Sequence, residues 1–285
     1  MQALYDVPAP AKLNLFLHIL GRRPDGYHLL QSAFMLIDWC DTLHFESRPD
    51  GRISREDLSV ELPADDLCVR AARALQQATG TSLGAHIGVS KHIPSQAGMG
   101  GGSSDAASTL LALNRLWQLN LPRPALESIG LTLGADVPFF LRGQNAWVEG
   151  IGESITPLVG EYALPPAQFV VVKPAAGLET QAIFSSTRLE RSSSSATIEG
   201  FAAAHYDFGQ NNLQPVAQTL CSEVTEALQW LESQQLKPRM TGSGSAVFAQ
   251  MSQSIDLISA NCRWKVKICD NLRLHPLAGW ASDKV

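Results

Sequence analysis

Four glycines fall within the run Pro94-Ser95-Gln96-Ala97-Gly98-Met99-Gly100-Gly101-Gly102-Ser103-Ser104, three of them consecutive. Neither a central strand nor the middle of a helix tolerates such a run, because glycine loosens the backbone and adds nothing to a core. The chain must turn tightly here, with its backbone free to approach another group closely. On one side, Ala85 to Ile93 reads as a strand that Pro94 ends; on the other, Ser103 to Leu119 carries Ala107, Leu110, Leu111 and Trp117 on a helical stripe, with hydroxyls and Asp105 at its start. A strand, a glycine turn and a helix in that order aim free amides and the positive end of the helix dipole at one point, which suits phosphate oxygens. On this reading a side chain at Gly101 would occupy space meant for those oxygens.

Familiar nucleotide signatures do not fit. The Walker pattern needs Gly-Lys-Ser/Thr, which the chain lacks, and the third glycine of a Rossmann turn would be Ser103. Asp207-Phe208-Gly209 mimics the metal triplet of protein kinases, but no His-Arg-Asp accompanies it, so it reads as coincidence.

The rest of the chain alternates strand and helix signals. From Lys12 to Leu20, Leu13, Leu15, Leu17 and Ile19 recur at the period of a strand with one buried face, which leaves Lys12, Asn14 and Phe16 on the other. Arg22-Arg23-Pro24-Asp25-Gly26 carries turn chemistry, and Leu29 to Trp39 reads as the returning strand, with Tyr27 and His28 near the hairpin tip. Asp65 or Asp66 caps a predicted helix to Gly80; another spans Pro124 to Leu133 before the turn Gly134-Ala135-Asp136-Val137-Pro138. Strands are predicted at Ala146 to Glu149 and Gln168 to Lys173, one amphipathic helix from Leu213 to Leu231, and a strand from Ala246 to Gln250 after Thr241-Gly242-Ser243-Gly244-Ser245. Arg191 to Ala196, rich in serine, reads as a mobile surface loop of slight function.

This order indicates an α+β protein of two halves, residues 1–157 and 158–285, with a soft boundary near Pro157 to Pro166. At 285 residues, with 45% hydrophobic and only 17% charged side chains, there is core material for both. A net charge of −5 without a basic stripe argues against a nucleic-acid partner. The first residues show no basic leader and no apolar run approaches a membrane span, so the expected location is the cytoplasm. The five cysteines form no Cys-x-x-Cys pair and read as reduced thiols, not as a zinc site or disulfide framework.

With its flanks, the glycine turn resembles the phosphate-binding motif of the GHMP kinases, roughly Pro-x-x-x-Gly-Leu-Gly-Ser-Ser, with Met99 in place of leucine. Pro10-Ala11-Lys12-Leu13-Asn14-Leu15, Asp25-Gly26-Tyr27-His28, the turn around Asp136 and Thr241-Gly242-Ser243-Gly244 extend the resemblance over most of the chain; it is weakest from Leu178 to Tyr206. The resemblance implies an N-terminal domain like the second domain of ribosomal S5, a C-terminal ferredoxin-like domain and an active site in the cleft between them. It also implies ATP as co-substrate, accompanied by Mg2+, and transfer of the γ-phosphoryl group to the 2-hydroxyl of a cytidine-diphosphate-linked methylerythritol, on the non-mevalonate route to isoprenoid precursors.

Phosphoryl transfer needs positioning and charge stabilisation more than covalent help. A carboxylate and a cation suffice, and by the resemblance Asp136 is the base and Lys12 the cation that keeps it ionised. Asn14, on the strand face of Lys12, is placed to hydrogen-bond the acceptor. His28 is expected to read the cytosine, Tyr27 to stack on it and Phe184 to add a second ring. ATP is expected along Lys91 and residues 94–104, with Ser104 near its magnesium and no protein carboxylate standing out as a metal ligand. Asp66 stands where the family suggests an asparagine near the adenosine. Thr241, Gly242 and Ser243 offer amides and hydroxyls to the second ligand's phosphates. Small molecules are the expected partners, with no nucleic acid or membrane, for a monomer or homodimer. The competing readings are another GHMP enzyme, of homoserine or mevalonate type or a decarboxylating relative, and a non-catalytic sensor or RNA-associated protein on the same fold.

Overall fold

Ala3–Arg22 form one long strand, β1, which turns and comes back antiparallel as β2, His28–Arg48. This hairpin is the spine of the computed structural model, which describes residues 2–283. After β3, Ile53–Asp57, comes α1, Leu67–Thr79; the Asp66 side chain accepts from Val69 N at its head and Gly80 closes it. β4, Gly84–Ser90, leads into the glycine turn and then α2, Gly101–Leu116, α3, Arg123–Leu133, and α4, Val137–Arg142. β5, Ala146–Gly150, and β6, Ser154–Pro157, complete a sheet ordered β3-β4-β2-β5-β6, with β1 on the other edge of β2.

The second half builds a smaller antiparallel sheet from β7, Gln168–Lys173, with β8, Arg239–Met240, β9, Val247–Gln250, and β10, Lys265–Asp270, in the order β10-β7-β9-β8. Between β7 and β8 lie α5, Thr180–Phe184, α6, Ile198–Ala204, α7, Gln214–Leu220, and α8, Ser222–Ser233.

Helices α1 to α4 cover one face of the first sheet, burying Phe34, Leu36, Leu110, Leu113 and Phe139 in one core. On the opposite face, Leu13, Leu15, Met35 and Ile37 meet Phe169, Val171 and Phe248 of the second half. β1 is therefore covered on both sides, and the half-solvated strand expected from its alternating leucines is corrected: Lys12, Asn14 and Phe16 are buried as well. Phe16 leaves the face of Lys12 and Asn14 altogether. The β1–β2 register slips between Asn14 and Leu17, and the extra residue turns the Phe16 ring into the core that holds Leu13 and Leu15.

Other boundaries also differ from the sequence reading. The predicted helix from Leu213 to Leu231 is two helices, because Cys221 adopts extended backbone (φ −146°, ψ 105°) between α7 and α8. β4 stops at Ser90, short of Ile93, where the main-chain amides of His92 and Ile93 leave the sheet to donate to the Asp41 carboxylate. The predicted turn around Asp136 opens directly into α4. The serine-rich stretch is not a free loop: Ser193 N donates to Ile19 O at 3.0 Å, Ala196 N to Gln31 Oε1 at 2.8 Å, and Arg191 holds several carbonyls.

Beyond β10 the chain returns to the first half. Leu272 N donates to Leu36 O at 2.8 Å and His275 N to Gly143 O at 2.8 Å. Leu277 is buried in the core beneath α2 to α4, and the Arg115 guanidinium lies 4.7 Å from the Trp280 ring centroid.

Candidate active site

Lys12 owes its place to a bulge. The β1–β2 register slips between Pro10 and Lys12, just after a proline that has no amide to give the ladder. Before the slip, Val7 and Ala9 pack beneath the helices; after it, Ala11 and Leu13 face the second half. Lys12 and Asn14 consequently turn to the helix side, where the glycine loop lies. The main chain follows, with Lys12 N donating to Met99 O at 3.0 Å, so strand and loop are bonded directly.

At the end of its side chain, Lys12 Nζ donates to Asn14 Oδ1, sits 4.3 Å from the Phe34 ring centroid and 3.5 Å from Asp136 Oδ2. Burial lowers the lysine's pKa below its ordinary value, while the Asp136 carboxylate pulls it back up. Asp136 occupies the N-terminal end of α4 yet makes no capping bond with its side chain. The carboxylate is thus left for Lys12 and the cleft, not for its own helix.

The glycine loop is fixed by the turn at residues 241–246. Gly98 has φ +71°, and a Cβ there would stand 2.2 Å from Thr241 O and 2.8 Å from Gly244 N. Ser245 N donates to Gln96 O at 3.1 Å and Ala246 N to Ala97 O at 3.3 Å. Thr241 is corrected from ligand contact to structural pin: it is buried, its hydroxyl accepting from Asn14 N at 2.8 Å and donating to Gly98 O at 3.4 Å. Gly101 is corrected too. A Cβ there would meet Ile93 Cγ2 at 3.1 Å and Asp41 Oδ2 at 3.6 Å, so that side of Gly101 faces protein, not phosphate. No side chain caps α2, which leaves the amides at its head to a ligand.

Loop and turn enclose a cleft of about 770 Å³ lined by Lys12, Asn14, Lys91, Asp136, Phe184, residues 94–102 and residues 242–244. Ser103 and Ser104 lie outside that lining, and the Ser104 hydroxyl is buried without a partner. Ser243 Oγ lies 2.8 Å from Thr180 Oγ1, a cleft residue the sequence did not single out. Asp66 lines the cleft but also caps α1 and pairs with Arg55 at 2.8 Å.

Lys91 reaches the cleft with its charge already matched, since its ammonium is gripped by Asp41 and Asp105. Burial opposes that charge, but the two carboxylates outweigh it and hold the lysine's pKa above its ordinary value. Burial pushes Asp105 up to about 7, with Lys91 opposing and Asp41 adding to the rise. Lys91, expected along the ATP, thus lines the cleft as part of an ion cluster with Asp41 and Asp105 that also anchors the entry to the glycine loop. Neither carboxylate was legible as its partner, because Asp41 lies 50 and Asp105 14 residues away in sequence, across the glycine loop or the sheet.

Tyr27 and His28 border a second cavity, about 490 Å³, which shares Leu30, Gln181 and Phe184 with the first. The Phe184 ring lies 5.1 Å from that of His28, and Tyr27 is exposed. Arg191, from the stretch read as idle, donates to His28 Nε2 at 3.1 Å. The structure thus joins Lys12, Asn14, Asp136, the loop and Gly242–Ser243 in one cleft, with Tyr27, His28 and Phe184 in an adjoining recess. Among the described residues there is no cluster of three His, Cys, Asp or Glu able to hold a metal, and no helix long and apolar enough to cross a membrane.

The GHMP kinases N terminal domain model matches residues 66–144. Over 284 residues the chain is 73% identical to 4-diphosphocytidyl-2-C-methyl-D-erythritol kinase of Paracidovorax citrulli, covering 100% of both, and over 285 residues it is 68% identical to the enzyme of that name from Delftia acidovorans, covering 100% of this chain and 99% of the relative. Among solved structures, a 4-(cytidine 5'-diphospho)-2C-methyl-D-erythritol kinase superposes with a TM-score of 0.74 at 35% identity, over 86% of this chain and 89% of that one. Homoserine kinase from Cytophaga hutchinsonii shares the fold with a TM-score of 0.70 at 13% identity, over 96% of each chain.

Proposed function

The chain belongs to the 4-diphosphocytidyl-2-C-methyl-D-erythritol kinases, within the GHMP kinases, and we infer that its cleft transfers the γ-phosphoryl group of ATP to the 2-hydroxyl of 4-diphosphocytidyl-2-C-methyl-D-erythritol. The observation that carries the reading is the Lys12–Asp136 pair at 3.5 Å, bonded through Lys12 N to the loop that would hold the phosphates. The acceptor oxygen attacks the γ-phosphorus, the bond from phosphorus to the β,γ-bridging oxygen breaks, and ADP leaves with that electron pair. Asp136 takes the hydroxyl proton, while the Lys12 ammonium keeps Asp136 ionised and offsets charge on the transferring group. The loop amides and the head of α2 cradle the phosphates, and Gly242 and Ser243 face the second ligand. Asn14 orients the acceptor, and the recess of Tyr27, His28 and Phe184 takes its cytosine.

Magnesium would arrive on ATP, whose phosphates and waters supply most of its ligands. The protein oxygen suited to meet it is Asp105 Oδ1, buried without a hydrogen-bond partner on a residue that lines the cleft. Its chemistry there would be neutralisation of phosphate charge. The reading includes two domains, 1–157 and 158–285, with residues 271–283 packing back on the first, and action in the cytoplasm as a monomer or homodimer. ADP release measured against a panel of acceptor alcohols tests it: turnover is expected with the cytidine-diphosphate-linked acceptor. Turnover confined to homoserine or mevalonate, or to none of the panel, would overturn it.

A further inference from the structure

The His28 ring is held from two sides, by the Phe184 ring and by the Arg191 guanidinium, whose Nε donates to His28 Nε2 at 3.1 Å. Arginine has five N–H donors and no acceptor, so the nitrogen it donates to must carry a lone pair. An imidazole with its lone pair on Nε2 holds its proton on Nδ1. Arg191 cannot readily swivel out of this role. Its NH1 donates to Leu189 O at 3.0 Å, and its NH2 to Phe184 O at 3.2 Å and Ser186 O at 2.8 Å. Burial, and then the charges of Arg191 and Arg22, lower the His28 pKa, which favours the neutral ring. Nδ1 has no partner among the described residues, and the ring borders the cavity shared with Tyr27 and Phe184.

We propose that Arg191 is a specificity-determining positioning residue: by locking His28 in the Nδ1–H tautomer, it presents a fixed hydrogen-bond donor to the base of the acceptor and selects cytosine over uracil. Ring N3 of cytosine is an acceptor, whereas N3 of uracil carries a hydrogen. A fixed donor satisfies the first and leaves two opposed donors with the second. An unlocked histidine can exchange tautomers and serve either base. This rests on the pyrimidine-linked acceptor proposed above.

The test compares kcat/KM for 4-diphosphocytidyl-2-C-methyl-D-erythritol and its uridine analogue in the wild type, Arg191→Met and Arg191→Lys. Taking the ratio of the two bases within each variant cancels any general loosening of the 184–191 segment. The preference for cytosine should fall about tenfold or more in Arg191→Met, as expected when a site loses a fixed polar contact that rejects an analogue. The KM for ATP should stay near its wild-type value, and Arg191→Lys, whose ammonium also donates without accepting, should keep part of the preference. Nitrogen-15 spectra of the His28 ring, taken without acceptor, should show Nδ1–H in the wild type and a tautomer mixture in Arg191→Met. An unchanged base ratio in folded Arg191→Met, equal use of both bases by the wild type, or a wild-type ring protonated on Nε2 would each overturn the inference while leaving the kinase reading intact. A wild-type chain that phosphorylates neither acceptor would overturn both.

Discussion

Asp136→Asn removes a charge from the Lys12 pair while keeping its shape, and its effect on pH dependence follows from the geometry. At the observed 3.5 Å, opposite unit charges attract by about 5 kcal/mol at an effective dielectric constant of 20 and about 1 kcal/mol in bulk water. Lys12 is nearly inaccessible and Asp136 partly solvated, so the real value lies between these limits. Losing that attraction takes away what holds the Lys12 pKa up. The sign is fixed by the causes. Burial already lowers the Lys12 pKa and Asp136 alone opposes it, so without Asp136 the ammonium is lost at lower pH still. Activity that needs the charged lysine is present below its pKa and disappears as pH rises through it; the alkaline limb of kcat should therefore move to lower pH. Turnover at the optimum should also fall by about 100-fold, as is common when a general base is lost, with ATP affinity little changed. Steady-state ADP release across pH, with calorimetric titration of an ATP analogue, measures all three quantities. Near-wild-type turnover with an unmoved alkaline limb in a folded variant would refute both the pairing and the role of Asp136.

His28→Ala should raise the KM for the cytidine-linked acceptor far more than that for ATP, since loss of a hydrogen-bond partner costs about 1–3 kcal/mol; steady-state kinetics with each substrate varied would expose a merely structural residue by equal effects on both. Gly98→Ala forces a Cβ into the Thr241 carbonyl at a positive φ, and should lower stability by about 2 kcal/mol or more. A thermal midpoint equal to the wild type's would mean that the loop is not held by the turn at residues 241–246.

Much of the cleft was legible because its parts announce themselves locally. Three successive glycines demand a turn, Asp66 and Gly80 bound a helix by capping chemistry, and Lys12 and Asn14 share a strand face by period. What failed depends on distant neighbours. Phe16 changes face because of a slip against β2, and no periodicity in β1 reports its partner's register. Cys221 lies in a continuous apolar stripe, yet its backbone is extended. The pairing of Lys91 with Asp41 and Asp105 was not readable, because the tertiary fold brings both carboxylates to it. Thr241 looked like a ligand contact because its hydroxyl partner, Asn14 N, is 227 residues away. Arg191 sits beside serines whose composition suggested idleness, and composition cannot show that its guanidinium gathers three carbonyls and a histidine.

The return of residues 271–283 to the first half carries a consequence for synthesis. As the chain leaves the ribosome, α2 to α4 can collapse on the long hairpin, but the place of Leu277 stays empty and the Leu36 carbonyl lacks the amide of Leu272. Domains generally fold as units in the order of translation; here the earlier unit waits for a segment made after the later one. The two halves therefore reach their final form together. A nascent chain stopped short of Leu272 leaves an apolar slot open beneath α2 to α4 until the last residues arrive to fill it.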